Sequence, residues 1–352
     1  MLSYMRYSHV CVETIACVLP PEVVTSAELE KRLEPLYRRL KLPEGRLELM
    51  TGIRERRLWP ADTLPSAASA AAGEKALKQA DHDPADIGAL FHCAVSRDYL
   101  EPATSTAVHR LLGLPATALN FDISNACLGV LSGMLVAANM IELGQISTAL
   151  VVAGENSRPL LEATIDYLLK NAQLTRRSSK NAFASLTIGS AAAAVLLTRA
   201  RAGCAGHRLL GGVTLANTAF SHLCQGSSDG GMSGTLRPLM STDSEELLVR
   251  GIETACQTWP RLKEELGWDN ATPDLICTHQ VGRVHRDRLY AALGLDTNRD
   301  FATIESLGNC GSASLPATAA LAIDAGRLGA GQRLAMLGIG SGINCTMIGI
   351  QW

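Results

Sequence analysis

The chain repeats one pattern of strand, helix, glycine and strand at a spacing of 185 residues. Leu-Phe-His-Cys-Ala-Val, beginning at Leu90, matches Leu-Ile-Cys-Thr-His-Gln-Val, beginning at Leu275, and the offset between the centres of these strands is 276 − 91 = 185. Farther along, Gly144 ends a helix and matches Gly329 at the same offset, 329 − 144 = 185, and an apolar strand follows each glycine. Agreement over four successive features indicates a duplicated structural unit.

Each half alternates short apolar strands with helices of roughly a dozen residues, which is typical of a sheet covered by helices. Apolar residues make up 47% of the 352 residues, enough for a large core. We therefore predict an α/β fold of two similar halves. The first, residues 1–200, carries a candidate nucleophile, and the second, residues 201–352, carries the candidate polar partners described below.

Charge and cysteine usage exclude several classes of function. The net charge of −2 and the aromatic content of 4% give no reason to expect a nucleic-acid partner. The ten cysteines are scattered without any Cys-x-x-Cys pair, so no zinc site is predicted and a reduced, cytoplasmic protein is expected. The longest apolar run, Leu128–Ile141, is too short to span a bilayer, so we expect a buried helix and no stable membrane insertion.

Cys127 is the strongest candidate nucleophile. An extended run, residues 118–124, precedes it, and a helical stretch of small residues, 129–143, follows it. A thiol at the start of a helix lies at the positive end of the helix dipole, so we expect its pKa to be lowered and the thiolate to be favoured. The alternative is that Cys127 is only a buried apolar residue of the core.

Four other features could supply chemistry. His279 follows a predicted strand, Asn309 lies in a glycine-rich turn before a helix, Glu101 lies in a polar stretch, and the glycine run of residues 338–342 follows what we predict to be the last buried strand. Taken singly, His279 could be a hydrogen-bonded core histidine and Asn309 a left-handed turn residue. Glu101 could be a surface carboxylate, and the glycine run could allow a close backbone contact. The glycine run lacks the Gly-x-Gly-x-x-Gly spacing, so no dinucleotide site is predicted.

Considered together, these features predict an active site. The ends of parallel strands meet at one edge of a sheet, and the duplication brings two such edges together. Cys127 would then face His279, Asn309 and the glycine run of the other half. A nucleophile opposed by polar groups that stabilise an oxyanion is suited to acyl transfer.

Several motifs resemble the thiolase superfamily, in its ketoacyl-synthase III branch. They occur in the family's order over nearly the whole chain: Thr51-Gly-Ile-Arg-Glu-Arg-Arg57, Asn125-Ala-Cys-Leu-Gly129, Thr278-His-Gln280 and Gly308-Asn-Cys-Gly-Ser312. Within that branch the chain resembles most the OleA family, which condenses two acyl-CoA molecules head to head in long-chain olefin biosynthesis. The residues that carry this resemblance are Arg57-Leu-Trp59, Ser96-Arg-Asp-Tyr-Leu-Glu-Pro102 and Leu337-Gly-Ile-Gly-Ser-Gly-Ile-Asn-Cys345.

The resemblance implies a five-layered α/β/α/β/α fold, a homodimer and a ping-pong reaction. Cys127 would be acylated by a first long-chain acyl-CoA, with the backbone N–H groups of Cys127 and Ser341 stabilising the oxyanion. His279 and Asn309 would hold the carbonyl of the second acyl-CoA. Glu101 of the partner subunit would remove its α-proton, and the product would be a 2-alkyl-3-keto acid. CoA thioesters are the substrates and no cofactor or metal is implied.

Two alternatives remain open. The first is decarboxylative condensation of an acyl-CoA with malonyl-ACP, which needs no base because loss of CO₂ creates the carbanion. A carboxylate such as Glu101 is required only when a plain acyl-CoA must lose an α-proton. The second is a catalytically silent subunit that supports another synthase. The acyl chain lengths, the residues that contact the CoA phosphates and any docking to downstream olefin-pathway enzymes are not predicted from the sequence.

Overall fold

A computed structural model describes residues 4–200, 207–226 and 239–352 of the chain. The strands are β1 Tyr4–Arg6, β2 Val10–Val18, β3 Glu22–Thr25, β4 Glu55–Leu58, β5 Ala89–His92, β6 Leu119–Asp122, β7 Thr148–Glu155, β8 Ala191–Arg199, β9 His207–Ala216, β10 Cys224–Gly226, β11 Met240–Thr242, β12 Leu275–Thr278, β13 Arg333–Gly340 and β14 Asn344–Gln351. The helices are α1 Ser26–Arg32, α2 Glu34–Leu40, α3 Arg46–Thr51, α4 Pro65–Gln79, α5 Thr104–Leu111, α6 Gly129–Glu142, α7 Arg158–Lys170, α8 Arg176–Phe183, α9 Ser244–Leu266, α10 Arg283–Leu293, α11 Ile304–Leu307 and α12 Ser314–Asp324.

The main strands follow one hydrogen-bonded order, β12-β13-β14-β9-β2-β8-β7-β5-β6, with β1 paired to β9. Strands β12 and β13 are parallel, as are β5, β6 and β7, whereas β8, β9 and β14 pair antiparallel with their neighbours. Strands β2 and β9 meet at two residue pairs, Cys11 with Arg208 and Val12 with His207. This short seam joins a sheet built from the first half to a sheet built mainly from the second.

Helices lie between these two sheets and on both outer faces, so that three helical layers and two sheets make five layers. Helix α4 packs its small residues, among them Ala72 and Ala76, against β2, β7 and β8 on the outer face of the first sheet. Helices α6 and α12 lie between the two sheets, in one continuous apolar cluster with both. Helices α9 and α10 cover the outer face of the second sheet, where Trp259 and Tyr290 are buried. The predicted α/β/α/β/α arrangement is confirmed.

The duplication holds at the level of single residues. Strand β7 spans 148–155 and β13 spans 333–340, so both ends differ by 185 (333 − 148 and 340 − 155). Helices α6 and α12 begin 185 residues apart, at Gly129 and Ser314. The 3₁₀ turns before them, Ala126–Leu128 and Gly311–Ala313, begin at the same offset, 311 − 126 = 185. The predicted boundary at 200/201 adjoins residues 201–206, which lie outside the described residues, and it stays a prediction.

A further helical layer covers the first half. Helices α1, α2, α3 and α7 enclose an apolar cluster of their own that includes Leu29, Leu36, Leu47 and Leu161. The carboxylate of Glu30 holds this layer together, because it accepts hydrogen bonds from the Tyr37 hydroxyl and from two backbone N–H groups of the segment that leads into α3. None of the helices in the described residues is long and apolar enough to cross a membrane.

Candidate active site

Cys127 lies at the predicted junction between a strand and a helix. Strand β6 ends at Asp122, the 3₁₀ turn Ala126–Leu128 follows, and helix α6 begins at Gly129. Ala126, directly before the cysteine, has a φ of +44°, a left-handed conformation that non-glycine residues seldom adopt. The chain therefore makes a sharp, strained bend at the candidate nucleophile, and such strain is often found at functional sites.

The position of Cys127 at the start of a helix does not lower the pKa of its thiol. Burial, the nearby Glu155 carboxylate and Cys224 together raise the pKa of Cys127 to about 12. The predicted lowering of this pKa is therefore wrong. The helix dipole favours the thiolate, but removal from water and a neighbouring negative charge oppose it more strongly. At neutral pH the resting group is the thiol, so its proton must leave during attack on a thioester.

His279 follows strand β12, as predicted, and carries a neutral imidazole. Its backbone N–H donates to the carbonyl of Leu337 at 3.0 Å, which holds it beside β13. Burial, with a smaller contribution from His285, lowers the pKa of His279 to about 4. Its Nδ1 atom is buried and has no hydrogen-bond partner among the described residues. A neutral imidazole in this position can donate a hydrogen bond through one nitrogen and accept a proton on the other.

Asn309 is held so that its amide nitrogen remains available. Its backbone N–H donates to Thr187 O at 3.0 Å, and its carbonyl accepts from Gly189 N at 2.9 Å. The side-chain oxygen accepts a hydrogen bond from the N–H of Gly311 at 3.0 Å. The Oδ1 atom is thus occupied within the turn, and among the described residues no hydrogen bond is formed by the NH₂ group. This is the end that a substrate oxyanion requires.

The glycine run near the C-terminus allows a close approach to the nucleophile. A Cβ atom at Gly338 would lie 2.5 Å from Cδ2 of Leu128, and one at Gly340 would lie 2.9 Å from Cγ of the same leucine. Only glycine lets β13 pack this closely against the residue after Cys127. The prediction that this run follows the last buried strand is wrong. Gly338 and Gly340 lie inside β13, and a turn containing Ser341 leads to the further buried strand β14.

Cys127, His279, Asn309 and Ser341 line a single cavity of about 1170 Å³. Its volume exceeds the range of ~300–1,000 Å³ that is usual for pockets that bind small molecules. Much of the wall is apolar, and it includes side chains from α3, α8, α9 and α10: Leu47, Met50, Phe183, Leu247, Leu248, Ile252, Val284 and Leu289. The structure therefore brings the four predicted residues together beside space for long alkyl chains.

Glu101 is the one predicted site residue that is not part of this cavity. The lining includes every residue of the segment from Val95 to Leu100, and Glu101, the next residue, is exposed to solvent. Within one chain, the carboxylate does not contribute to the wall that holds Cys127. A role in the reaction would require it to act in another subunit.

Glu155 is a site residue that sequence reasoning missed. It ends β7, is 5% exposed and lines the cavity with Cys127. A carboxylate that follows an apolar run, Ala149 to Gly154, is the signal that could have identified it, because an ionised group is rarely buried without a specific set of partners. His285 was missed as well. It lies on the first turn of α10, lines the same cavity, and burial lowers its pKa to about 4. In the described part of the chain no cluster of three or more His, Cys, Asp or Glu residues could hold a metal ion.

Matches to known protein families identify the class of enzyme to which the chain is similar. The family described as 3-oxoacyl-[acyl-carrier-protein (ACP)] synthase III matches residues 121–214, and its C-terminal region matches residues 263–352. A β-ketoacyl-[acyl-carrier-protein] synthase III from Streptomyces coelicolor is 26% identical over 345 residues, covering 97% of this chain and 93% of that protein. The chain therefore has the condensing-enzyme domains of the thiolase superfamily, as predicted.

Two relatives are more similar. An acyl-CoA:acyl-CoA alkyltransferase from Shewanella oneidensis is 41% identical over 351 residues, and one from Xanthomonas campestris is 37% identical over 348 residues. Each alignment covers 99% of this chain and 100% of the relative. The chain belongs to the family of acyl-CoA:acyl-CoA alkyltransferases.

Solved structures agree with this assignment. A crystal structure of OleA from Xanthomonas campestris superposes with a TM-score of 0.93 at 36% identity, covering 99% of this chain and 98% of that one. Another, of an OleA variant with bound lauric acid and lauroyl-CoA, gives a TM-score of 0.92 at 36% identity and covers 98% of this chain and 100% of that one. The predicted resemblance to the OleA family is confirmed.

Proposed function

We propose that the chain condenses two long-chain fatty acyl-CoA thioesters head to head, without decarboxylation, to a 2-alkyl-3-keto acid. The observation that carries this proposal is the shared apolar cavity of Cys127, His279, Asn309 and Ser341, in a chain whose Glu101 lies just beyond the lining. The binding of lauroyl-CoA by the OleA variant from Xanthomonas campestris supports acyl-CoA as the substrate class.

Acylation of Cys127 is the first half of the reaction. The sulfur attacks the thioester carbonyl of the first acyl-CoA, and the backbone N–H groups of Cys127 and Ser341 stabilise the oxyanion of the tetrahedral intermediate. Collapse of the intermediate breaks the bond between carbon and CoA sulfur. Because the resting group is a thiol, its proton leaves with CoA, and the neutral imidazole of His279 is suited to carry it.

Carbon–carbon bond formation is the second half. The thioester oxygen of the second acyl-CoA accepts hydrogen bonds from His279 and from the NH₂ group of Asn309, which stabilises an enolate. The carboxylate of Glu101 from the partner subunit takes the α-proton, and the resulting carbanion attacks the acyl group on Cys127. The cysteine sulfur leaves, and hydrolysis of the 2-alkyl-3-ketoacyl thioester releases CoA and the keto acid.

The exposed edge of the first sheet supports the proposal of a homodimer. Strand β6 is the last strand of this sheet, and its Leu119 and Phe121 side chains are 48% and 41% exposed. Tyr99 and Leu100, in the segment before Glu101, are also exposed. An edge strand with exposed apolar side chains is suited to pairing with a second copy of the chain. Such pairing would place the Glu101 segments beside the joined edges.

The other expectations remain part of this proposal. The reaction uses CoA thioesters as substrates and needs no cofactor, metal or nucleic acid. The dispersed cysteines suit a reducing cytoplasm, without stable insertion into a membrane. Enzymes that act downstream in olefin biosynthesis are the candidate partners, because the β-keto acid loses CO₂ spontaneously unless it is consumed.

The test is incubation of the purified protein with a single saturated acyl-CoA, such as myristoyl-CoA, and analysis for the symmetric ketone. We expect CoA release and this ketone, which arises from the keto acid by loss of CO₂. Absence of the ketone at every chain length from about C8 to about C18 would refute the proposal; the Cys127→Ala variant is the control, because it lacks the nucleophile.

The Glu101→Ala variant separates this reaction from condensation with malonyl-ACP. We expect it to be acylated on Cys127 but to form no ketone, because no base removes the α-proton. If Glu101→Ala condenses as fast as the unmodified protein, or if malonyl-ACP is used in preference to a second acyl-CoA, the decarboxylative alternative is correct. Failure of any acyl adduct to form on Cys127 would leave only the silent-subunit alternative.

A further inference from the structure

The carboxylate of Glu155 accepts four hydrogen bonds in the interior of the protein. Its Oε1 atom accepts from the backbone N–H groups of Val95 at 2.8 Å and Ser312 at 3.0 Å. Its Oε2 atom accepts from the N–H of Ser96 at 3.1 Å and from the Ser96 hydroxyl at 2.9 Å. In the described residues no lysine or arginine forms an ion pair with it. Backbone donors, rather than an opposite charge, compensate this buried carboxylate.

These hydrogen bonds join two parts of the site that are far apart in sequence. Ser312 belongs to the turn that holds Asn309, and its hydroxyl accepts a hydrogen bond from Val130 N at the start of the helix after Cys127. Val95 and Ser96 begin the segment that leads to Glu101. Gly311 completes the fit, because a Cβ atom there would lie 2.8 Å from Oε1 of Glu155. One carboxylate thus links the segment before the proposed base to the turn of its own active site.

We propose that Glu155 is a positioning residue that fixes the base Glu101 for use in the partner's active site. This inference rests on the proposed function, in which Glu101 acts across the dimer. Four residues lie between Ser96 and Glu101, so a shift at the first is carried to the second through a short stretch of backbone. Because Glu155 binds both this segment and the turn that contains Ser312, it fixes the position of Glu101 relative to Cys127 and Asn309 of the same chain.

The Glu155→Gln variant weakens this attachment selectively. The amide oxygen of a glutamine can continue to accept from Val95 and Ser312, which offer only backbone N–H groups. Its NH₂ group then faces Ser96, whose hydroxyl can rotate to accept but whose backbone N–H loses its acceptor. We expect acylation of Cys127 to be no slower than normal and condensation to fall about 10- to 100-fold, the range expected when a catalytic group is misplaced by about 1 Å.

Two-tagged heterodimers test whether the effect crosses the interface. In the first arrangement one chain carries Cys127→Ala and the other carries Glu155→Gln, so the remaining cysteine is served by a Glu101 with an intact anchor. We expect it to match a heterodimer of Cys127→Ala and unmodified chains. In the second arrangement Cys127→Ala and Glu155→Gln are in the same chain. We expect its condensation rate to fall about 10- to 100-fold.

The Glu101→Ala variant, placed in the same two arrangements, shows whether Glu101 itself acts across the interface. If Glu101→Ala fails to act in trans, the proposed function is wrong on that point whatever Glu155 does. If Glu101→Ala acts in trans while Glu155→Gln slows only the chain that carries it, this inference is overturned and the proposed function stands. Loss of acylation in Glu155→Gln equal to the loss of condensation would also overturn it, because Glu155 would then act through its own site.

Two further variants show whether a loss of condensation is only a general effect of impaired folding. Ser96→Ala removes the hydroxyl that donates to Glu155, and we expect a smaller loss of condensation in the same trans arrangement. Glu142→Gln is the matched control: Glu142 also accepts backbone N–H groups, from Ser8 and His9, but at the far end of α6. It should leave both half-reactions unchanged.

Alkylation of Cys127 gives a readout that a purely structural residue would not change. Glu155 and Cys224 lie near enough to the sulfur of Cys127 to raise its pKa, and His279 lines the same cavity. Removal of the negative charge in Glu155→Gln should lower the pKa of Cys127, so iodoacetamide should react faster with it at every pH between 7 and 9. An unchanged pH profile would mean that the carboxylate does not face the cysteine as described.

Discussion

The hydroxyl oxygen of Ser312 accepts a hydrogen bond from the backbone N–H of Val130 at 2.9 Å, and this bond joins the two halves beside the nucleophile. Ser312 is also the residue that corresponds to Cys127 in the duplication, since 312 − 127 = 185. The position that supplies the sulfur in the first half supplies, in the second, the cap of the helix that follows the sulfur. The site is thus built on a pair of equivalent positions with different chemistry.

Removal of the Ser312 hydroxyl should affect stability and acylation together. Ser312→Ala leaves the buried N–H of Val130 without its acceptor, so we expect a loss of about 1–2 kcal/mol in the free energy of unfolding. Because the uncapped turn lies beside Cys127, the acylation rate should also fall. Urea denaturation and the burst of CoA release measure the two effects. Thr25→Ala removes the cap of α1, a residue that does not line the cavity, and should lower stability without changing acylation.

A methyl group at Gly338 should displace the residue after the nucleophile. The Cβ atom of Gly338→Ala would lie 2.5 Å from Cδ2 of Leu128 and 3.1 Å from the carbonyl oxygen of Thr346, so either the leucine or the strand must move. We expect destabilisation of about 1–3 kcal/mol and slower acylation. Gly329→Ala is the matched control, since its nearest neighbour would be at an ordinary 3.4 Å. Equal behaviour of the two variants would contradict the close approach described here.

Acid should destabilise the protein through two half-buried histidines. The pKa values of His279 and His285 are lowered from 6.5 to about 4 in the folded state, so the unfolded chain binds more protons between these values. The stabilisation is complete above about pH 6.5 and is lost as the pH falls towards 4, by about 1–3 kcal/mol for each group. Melting temperatures between pH 7.5 and pH 4.5 check this, and His285→Gln should give a shallower decline. A variant with an unchanged slope would contradict the burial of His285.

A charge on the exposed edge of the first sheet should separate the two half-reactions. Leu119→Glu places a carboxylate on β6, and we expect a monomer that is still acylated on Cys127 but condenses at least about 100-fold more slowly. Sedimentation analysis and ketone formation measure the outcome. Leu143→Glu alters an apolar residue that is 75% exposed at the end of α6, and should change neither. A monomeric Leu119→Glu protein with full activity would contradict the proposal that Glu101 acts across the dimer.

Local patterns were sufficient to predict most of the framework. The 185-residue repeat and the strand ends before Cys127 and His279 are properties of short segments, and each was found where the pattern indicated. The prediction that Gly329 ends a helix is wrong, because α12 ends at Asp324 and the left-handed glycine after it is Gly326. The pKa of Cys127 could not be predicted in this way. It depends on burial and on Glu155, which comes to the site from another strand. The role of Glu155 was hidden for the same reason, because its hydrogen-bond donors come from two distant segments.

The extent of the glycine run was also misjudged from the sequence. Glycines commonly end strands, but Gly338 and Gly340 continue β13 because a leucine from the other half requires the space that their side chains would fill. Only the packing of the two halves distinguishes a glycine that ends a strand from one that makes room for a neighbour.

The absence of a side chain at Gly340 shows how far the two halves of the duplication differ. Its counterpart in the first half is Glu155, since 340 − 155 = 185, so the same position carries a buried carboxylate in one half and no side chain in the other. A chain made of two first halves would bring a carboxylate against Leu128, where the structure has no room even for a methyl group. The two halves are no longer interchangeable: what began as a repeat is now a matched pair, and neither member can be replaced by a copy of the other.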